Sequence, residues 1–407
     1  MKHSTLKTPK KADVVIAGAG FVGLALGAAL QRAGLDVAIC DPALSKKPPD
    51  DPRASALVAG AKNLMEAIGA WDLAAPEAEA ITRMEISDAR LEEVTRPVML
   101  TFAGAEDETS YVVPNTAIRA ALFEAAKAAG VSLIPQAVAS YEAGRARVVA
   151  KLADDSQISA ALLVAAEGAN SPLRKFAKVR MQGWRYDQIA IVTTVKLEHP
   201  HEGVAIQHFF EGGPFALLPM KDNHASVIWS ERKIEAQRLY ALPDAEFRTA
   251  LQERAGWRFG EISLAAPRAM RPLELRVAKS FVSERLALVG DAAHVTHPLA
   301  GQGLNIGLRD VAALAESMAD AARLGGDIGA SDVLTRYESW RRFDTMTMLA
   351  ATDSLLKLFT LPGAPARLLR DAGLGVVERI PAAKAAITKA AAGLSGDVPR
   401  LLRGEAL

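Results

Sequence analysis

The segment "VVIAGAGFVGLALGAALQRAGLDVAIC", residues 14–40, constrains the fold more than any other. A β-branched apolar run leads into a turn carrying Gly18, Gly20 and Gly23, followed by an apolar helix-like stretch that Gly34 ends. A second strand, "DVAIC", then closes on Asp41. In this order the three glycines play different parts. The first permits the tight turn, the second lets a pyrophosphate approach the backbone, and the third lets helix pack closely on strand. Unpaired N–H groups at the helix start favour phosphate, and an acid at the end of the second strand can accept hydrogen bonds from ribose hydroxyls. Three glycines alone are a weak signal, and a glycine turn serving packing only is the bland alternative. The strand before, the helix after and Asp41 at the expected distance favour a dinucleotide site. The motif does not choose between NAD and FAD, and Asp41 argues against a 2′-phosphate.

A chain of 407 residues exceeds one compact core, so two or three domains are expected. Lys plus Arg is 48 against 47 for Asp plus Glu, without the basic surplus of a nucleic-acid binder. Cys40 is the only cysteine, so no intrachain disulfide forms, and a buried strand position suits it better than catalysis. The basic N-terminus lacks the apolar stretch of a secretory signal. The uncharged run 14–30 approaches membrane-spanning length, but its glycine spacing and strand-then-helix pattern explain it better, and no spanning helix is expected. The seven histidines form no H-x-x-x-H or H-E-x-x-H arrangement, so no metal site is assigned. No Gly-x-Ser-x-Gly nucleophile elbow occurs.

Further along, helical patterning is expected in "ASALVAGAKNLMEAIGAW" and "TAIRAALFEAAKAAG", and one buried strand in "ISAALLVAAEG". Over residues 182–262 strand-like runs alternate ("QIAIVTTVKLEH", "VAIQHFFE", "GPFALLPM", "HASVIWSE"), predicting a mostly antiparallel sheet with one side buried. After "RLALVGD" the chain reads as almost wholly helical, with a long helix opening at "SDVL".

The segment "LALVGDAAHVTHPLAGQGLNIGLRDVAALAE", residues 286–316, repeats the theme: a strand delivers Asp291, a glycine-rich turn follows, and a helix is expected to begin near Leu304. One folded dinucleotide needs no second unit so late in the chain, whereas extended FAD does. "GDAAHVTHPLAGQGLNIGLRD" resembles the Gly-Asp fingerprint of flavin monooxygenases built like para-hydroxybenzoate hydroxylase. Within them, "HPLAGQGLNIGLRD" resembles the ubiquinone-biosynthesis hydroxylases, which act on polyprenylated phenols. "DPRASALVAGAKNLMEAIGAW", "YESWRRFD" and the tail "AAGLSGDVPRLLRG" resemble further segments of that family, so the likeness covers nearly the whole chain.

The resemblance implies an α/β fold: a Rossmann-like FAD-binding domain (residues 12–75, 100–180 and 276–345), an inserted mostly antiparallel substrate domain (76–99 and 181–275) and a helical C-terminus (346–407). It implies that Asp291 bonds the ribityl hydroxyls of FAD, and that Gly303, Leu304 and Asn305 bring backbone N–H groups to the pyrimidine edge. A helix N-terminus suits that edge because reduced flavin is anionic there. Arg53 is implied near the flavin or pyrophosphate, and Asn115 and Arg119 near the cofactor. His294 reads as a structural histidine, while His297 and Pro298 would shape the substrate side. No acid, base or nucleophile is assigned, since the flavin carries the chemistry.

The implied reaction is ring hydroxylation of a polyprenylated phenol by O₂ through a flavin C4a-hydroperoxide. Same-fold oxidation of another phenol or alkene, and an inactive flavoprotein scaffold, stand as alternatives. A cytoplasmic location is expected, with peripheral contact at the inner membrane face and membership of a ubiquinone-biosynthesis complex as further expectations. The tail from Leu355 carries a surplus of basic residues with Leu358, Phe359, Leu368 and Leu369, which suits an acidic surface or a cap on the first domain equally.

"AEGANSPLR" resembles the family's Asp-Gly fingerprint, linked to pyridine-nucleotide use. Gly168, Ser171 and Arg174 match it, but Glu167 stands where Asp is usual. That departure bears on whether NADPH or another donor is the reductant.

Overall fold

Val14–Ala17 lies inside a six-stranded sheet ordered Val282–Ser283, Leu286–Leu288, Leu162–Ala165, Val14–Ala17, Val37–Cys40, Ser132–Ile134. All neighbours are parallel except the edge strand Val282–Ser283. The structure is a computed structural model, and it describes residues 11–47, 51–91, 96–102, 109–297, 302–360, 380, 388–390 and 392–407. Every residue of Val14–Ala17, Val37–Cys40 and Leu162–Ala165 is buried, as a parallel sheet covered on both faces requires. Helices Phe21–Arg32, Asn115–Ala129 and Gln302–Arg323 share this core, along with the antiparallel Val138–Ala143, Val148–Leu152 and Gln157–Ala160. Gly130 ends its helix in the left-handed conformation, at φ +92°.

The second sheet has nine strands, in the order His294–Val295, Ala269–Ala278, Met181–Leu197, His224–Arg232, Gly213–Met220, Val204–Phe210, Arg83–Asp88, Leu100–Phe102, with Ile262–Leu264 beside Met181–Leu197. It is antiparallel except where Val204–Phe210 meets Arg83–Asp88. The α/β class with an inserted, mostly antiparallel sheet and helical C-terminal region is therefore the observed architecture. His294–Val295 pairs with Ala269–Ala278, so the chain leaving the Asp291 turn stitches the two units together.

Three local expectations are corrected. Ala54–Leu57, expected to open a helix, is a strand paired antiparallel with Ser110–Pro114, and the helix runs only over Ala59–Ala67. A long-range ladder there overrides local helical patterning. "ISAALLVA" divides at Ala161 into Gln157–Ala160 and Leu162–Ala165, which belong to different sheets. The large sheet is not buried on one side only: all of Val204–Phe210 is buried. Helices Lys233–Ala241 and Asp244–Ala255, which strand periodicity did not suggest, cover its far face around Phe215, Trp229 and Phe247. The near face, with Ala205 and Leu218, packs against Ala54, Ala56 and Val112 of the first unit.

The long helix is Ser331–Thr360, opening at the expected Ser-Asp, and its Phe359 ring stacks on Phe209 at 3.7 Å. The end of the tail docks on the first unit. Leu401 and Leu402 are buried, Asn63 donates to the Leu402 carbonyl at 3.0 Å, and Arg400 pairs with Glu316 at 3.2 Å. Leu368 and Leu369 lie outside the described residues.

Candidate functional site

The glycine turn has the geometry its sequence demands. Gly18 adopts φ +110°, and a Cβ there would lie 2.4 Å from the Ala166 carbonyl oxygen. A Cβ on Gly23 would sit 2.0 Å from the Gly18 carbonyl, so helix and turn are in contact. Gly20 is different: nothing lies within 4 Å of where its Cβ would be. Two glycines are needed for packing and one leaves open space, which is the division a phosphate cradle requires. Asp41 braces the turn, its carboxylate accepting from Ala19 N–H and Ala43 N–H, both at 2.7 Å.

The second motif arrives on the same spot through small-residue packing. A Cβ on Gly307 would meet the Val22 side chain at 2.7 Å, and one on Gly290, at φ +59°, would meet it at 3.0 Å. Val22 in the first helix thus locks together the glycine turn, the Asp291 turn and helix Gln302–Arg323. The helix starts two residues earlier than expected, at Gln302. Asn305 is buried, and its amide donates to the Ala56 carbonyl at 2.8 Å and accepts from Val58 N–H at 3.2 Å. Its side chain therefore ties the helix start to the Ala54–Leu57 strand.

Asp291 is exposed to solvent, yet protein surrounds its carboxyl closely enough to raise its pKa by desolvation. His294 and Arg53 oppose that rise. The carboxylate makes no hydrogen bond among the described residues. Arg53 feels the charge of Asp291 but is held by Asp51, with Nε to Oδ1 at 2.7 Å and Nη2 to Oδ2 at 2.6 Å. Burial would raise Asp51, but Arg53 and Asn115 overcome it and hold it low. Asn115 donates to Asp51 at 3.1 Å and accepts from Ser55 Oγ at 2.8 Å. Arg119 lies one helical turn beyond Asn115, half-buried and with no hydrogen bond or ion pair among the described residues.

Glu167 lies close enough to Asp41 for their charges to repel. Its Oε2 accepts from Ser171 Oγ at 2.6 Å and from Leu173 N–H at 3.1 Å, at the start of the short helix Pro172–Phe176. Burial raises its pKa, against those two hydrogen bonds and the charge of Arg174. Gly168, at φ +79°, has open space where a Cβ would be. Arg174 is buried, donating to the Ala292 and Ala169 carbonyls at 2.9 and 2.7 Å, and so links this fingerprint to the Asp291 turn.

Sequence reasoning missed what holds the Asp291 turn. Asp310, fully buried, accepts from Gly290 N–H at 2.9 Å, faces His294 Nε2 at 2.6 Å and accepts from Arg341 Nε at 2.8 Å. Burial would raise this carboxyl, but His294 and Arg341 prevail and keep it below its usual range. His294 is thus a structural histidine. The available signal was a charged pair, Arg309–Asp310, flanked by the apolar Ile306, Leu308, Val311 and Leu314.

The structure brings Gly18, Gly20, Gly23, Asp41, Glu167 and Gly168 together at the first glycine turn. Asp51 joins Arg53 to Asn115, and Arg53 lies within charge range of Asp291. Gly303, Leu304 and Asn305 open the helix whose Gly307 packs on Val22, while Arg119 is tied to none of these by a hydrogen bond or ion pair among the described residues. His297 lies at the junction with the large sheet, its imidazole 5.4 Å from the Tyr186 ring. Pro298 lies outside the described residues. Among the described residues no group of three or more His, Cys, Asp or Glu could hold a metal ion. The open cradle at Gly20 and the unpartnered Asp291 fit a long nucleotide cofactor with hydroxyls to donate.

Comparison with known proteins supports the same kind of cofactor. A family model described as FAD binding domain matches residues 11–352. The chain is 40% identical over 405 residues to the ubiquinone hydroxylase UbiL of Rhodospirillum rubrum, covering 97% of this chain and 93% of that one. It is 31% identical to the 3-demethoxyubiquinol 3-hydroxylase of Escherichia coli, covering 95% and 100%. It is also 31% identical to the human mitochondrial ubiquinone biosynthesis monooxygenase COQ6, covering 89% and 88%. The p-nitrophenol 4-monooxygenase PnpA of Pseudomonas putida has the same fold, with a TM-score of 0.78 at 18% identity over 96% of this chain and 100% of that one.

Proposed function

The chain belongs to the FAD binding domain family, and from that premise we propose that it is an FAD-dependent monooxygenase that hydroxylates the aromatic ring of a polyprenylated phenol in ubiquinone biosynthesis. The observation that carries this reading is the meeting of the two nucleotide motifs, the glycine turn and the Asp291 turn, on the Val22 side chain beside the large sheet. When bound, FAD supplies the activation of O₂ and the transfer of one oxygen atom.

The chain's own residues bind, orient and keep out water. Gly18, Gly20 and Gly23 would form the pyrophosphate cradle, and Asp41 would take ribose hydroxyls on the lone pairs its two backbone bonds leave free. Asp291 would accept from the ribityl hydroxyls. Gly303, Leu304 and Asn305 would turn backbone N–H groups to the pyrimidine edge, where the positive end of the helix favours negative charge. Arg53, steadied by Asp51, and Asn115 would border the flavin, with Arg119 towards the phosphates. The apolar near face, with Val192, Phe209 and Ile228, would shield the reacting ring from water. The FAD-binding and substrate units assigned along the sequence are part of this proposal. With FAD, a reductant and a prenylated phenol, the protein should yield a product heavier by one oxygen atom derived from O₂. FAD oxidation without such a product would count against hydroxylation.

NADPH or another electron donor is the proposed reductant. Glu167 is the residue that departs from the family pattern at that fingerprint, and its longer side chain reaches both Ser171 and Leu173. Glu167→Asp should keep FAD but change the rate of flavin reduction by NADPH about tenfold, since a displacement near one ångström can matter that much at a transfer site. Equal stopped-flow rates in the two forms would show the departure to be neutral.

No helix among the described residues is long and apolar enough to cross a membrane. A prenylated substrate favours a cytoplasmic enzyme in peripheral contact with the inner membrane face, or docked in a biosynthetic complex. Flotation with anionic liposomes tests the first, and failure to float would remove it.

A further inference from the structure

His297 is fully buried, and neither ring nitrogen has a hydrogen-bond partner. Leaving a buried polar atom unpaired is costly, so such a group calls for an explanation, and an arriving ligand supplies one. Its surroundings orient the ring without using the nitrogens. Tyr186 meets the imidazole edge-on, with the planes at 88°. The Tyr186 hydroxyl is committed elsewhere, donating to Asp353 Oδ1 at 2.7 Å, while Asp353 Oδ2 pairs with Lys357 at 2.8 Å. Burial pushes the His297 pKa down to about 4, with the charge of Asp353 opposing. At neutral pH the ring therefore offers one donor and one acceptor.

The position is equally specific. His297 lies between the Asp291 turn and helix Gln302–Arg323, and Tyr186 packs against both the first unit's core and the near-face cluster of the large sheet. His208 also has an unpartnered nitrogen, but it stacks with Phe215, whose ring belongs to the helix-covered far face.

We propose that His297 is the substrate-binding residue that hydrogen-bonds the phenolic hydroxyl of the ring to be hydroxylated. This rests on the hydroxylase reading above and names the group that recognises the head of the substrate. A phenol matches a neutral imidazole, because its hydroxyl donates to the acceptor nitrogen while its oxygen can still accept. Drawing the phenolic proton towards nitrogen also enriches the ortho and para carbons in electron density, and an electrophilic oxygen attacks there. The prenyl chain takes no part in this contact.

Binding to the oxidised holoenzyme tests the assignment through perturbation of the flavin absorbance, with ortho-farnesylphenol and its O-methyl ether as probes. The wild type should prefer the phenol. His297→Phe should keep its FAD and melting temperature and bind the phenol about tenfold more weakly, a change of about 1.4 kcal/mol, with ether affinity unchanged. His297→Gln, which retains a donor and an acceptor, should recover part of the loss. Loss of FAD from His297→Phe, equal weakening for both probes, or unchanged phenol affinity would each overturn the assignment. A wild type that binds neither probe would sink the hydroxylase reading and the assignment with it.

Discussion

Asp291→Ala should yield a folded protein that retains little or no FAD. In the proposed site the carboxylate would accept two hydrogen bonds from ribityl hydroxyls, and bonds to a charged acceptor contribute about 1.5–3 kcal/mol each. Losing both would weaken binding by about a hundredfold or more. The fold should not suffer, because the Asp291 side chain makes no hydrogen bond among the described residues. Its pKa is raised by desolvation, so the folded state disfavours the ionised form. For a carboxyl shifted upward, that penalty is present at neutral pH and vanishes as pH falls below the unfolded value. The apo form of Asp291→Ala should therefore melt no lower than apo wild type at neutral pH. Flavin content after purification, with both apo melting curves, decides the matter. A variant with full FAD would remove Asp291 from the cofactor site, and a variant that failed to fold would contradict the account of its carboxylate.

Arg341→Leu should produce the largest loss of stability. It strips the guanidinium, one of two side-chain partners, from Asp310, a carboxylate with no exposure to solvent. Breaking a buried ion pair on one side costs about 3–5 kcal/mol, which for a domain of this size lowers the melting temperature by roughly 10 °C. The pH dependence has a definite sign. Asp310 is held below its ordinary range, so its contribution is complete above the unfolded carboxylate pKa of about 4 and is lost as pH falls through the lower folded value. Wild type should lose stability over that acid interval more steeply than Arg341→Leu. Because Asp310 also holds Gly290 N–H, the variant should bind FAD more weakly as well. A melting temperature within about 2 °C of wild type, a shift of under about 1 kcal/mol, would show the network to be dispensable.

The parts of the site that were legible in the sequence are those whose chemistry is local. Gly18 must be glycine because of its own φ and the carbonyl packed against it, and Asp41 stands at a fixed distance along one strand–turn–helix unit. Asn305 was placed at the helix start from its motif, but its side-chain bonds to Ala56 and Val58 could not be read, since those partners lie some 250 residues away. Ala54–Leu57 looked helical because its neighbours are, yet the strand opposite it starts at Ser110. Glu167 stood out as one methylene too long, and only the fold showed that carboxylate bonded to Ser171 and Leu173.

The sequence by itself determined two nucleotide-binding turns, an inserted strand-rich unit and a helical end, because turn geometry and hydrophobic period act over a few residues. Tertiary structure alone decided that Val22 would lock both turns together, and that the buried Asp310 would be held by His294 and Arg341. It also decided that His297 would be buried with both nitrogens unused. Those outcomes depend on desolvation and on partners distant in the chain, and such energies exist only once the chain has closed around them.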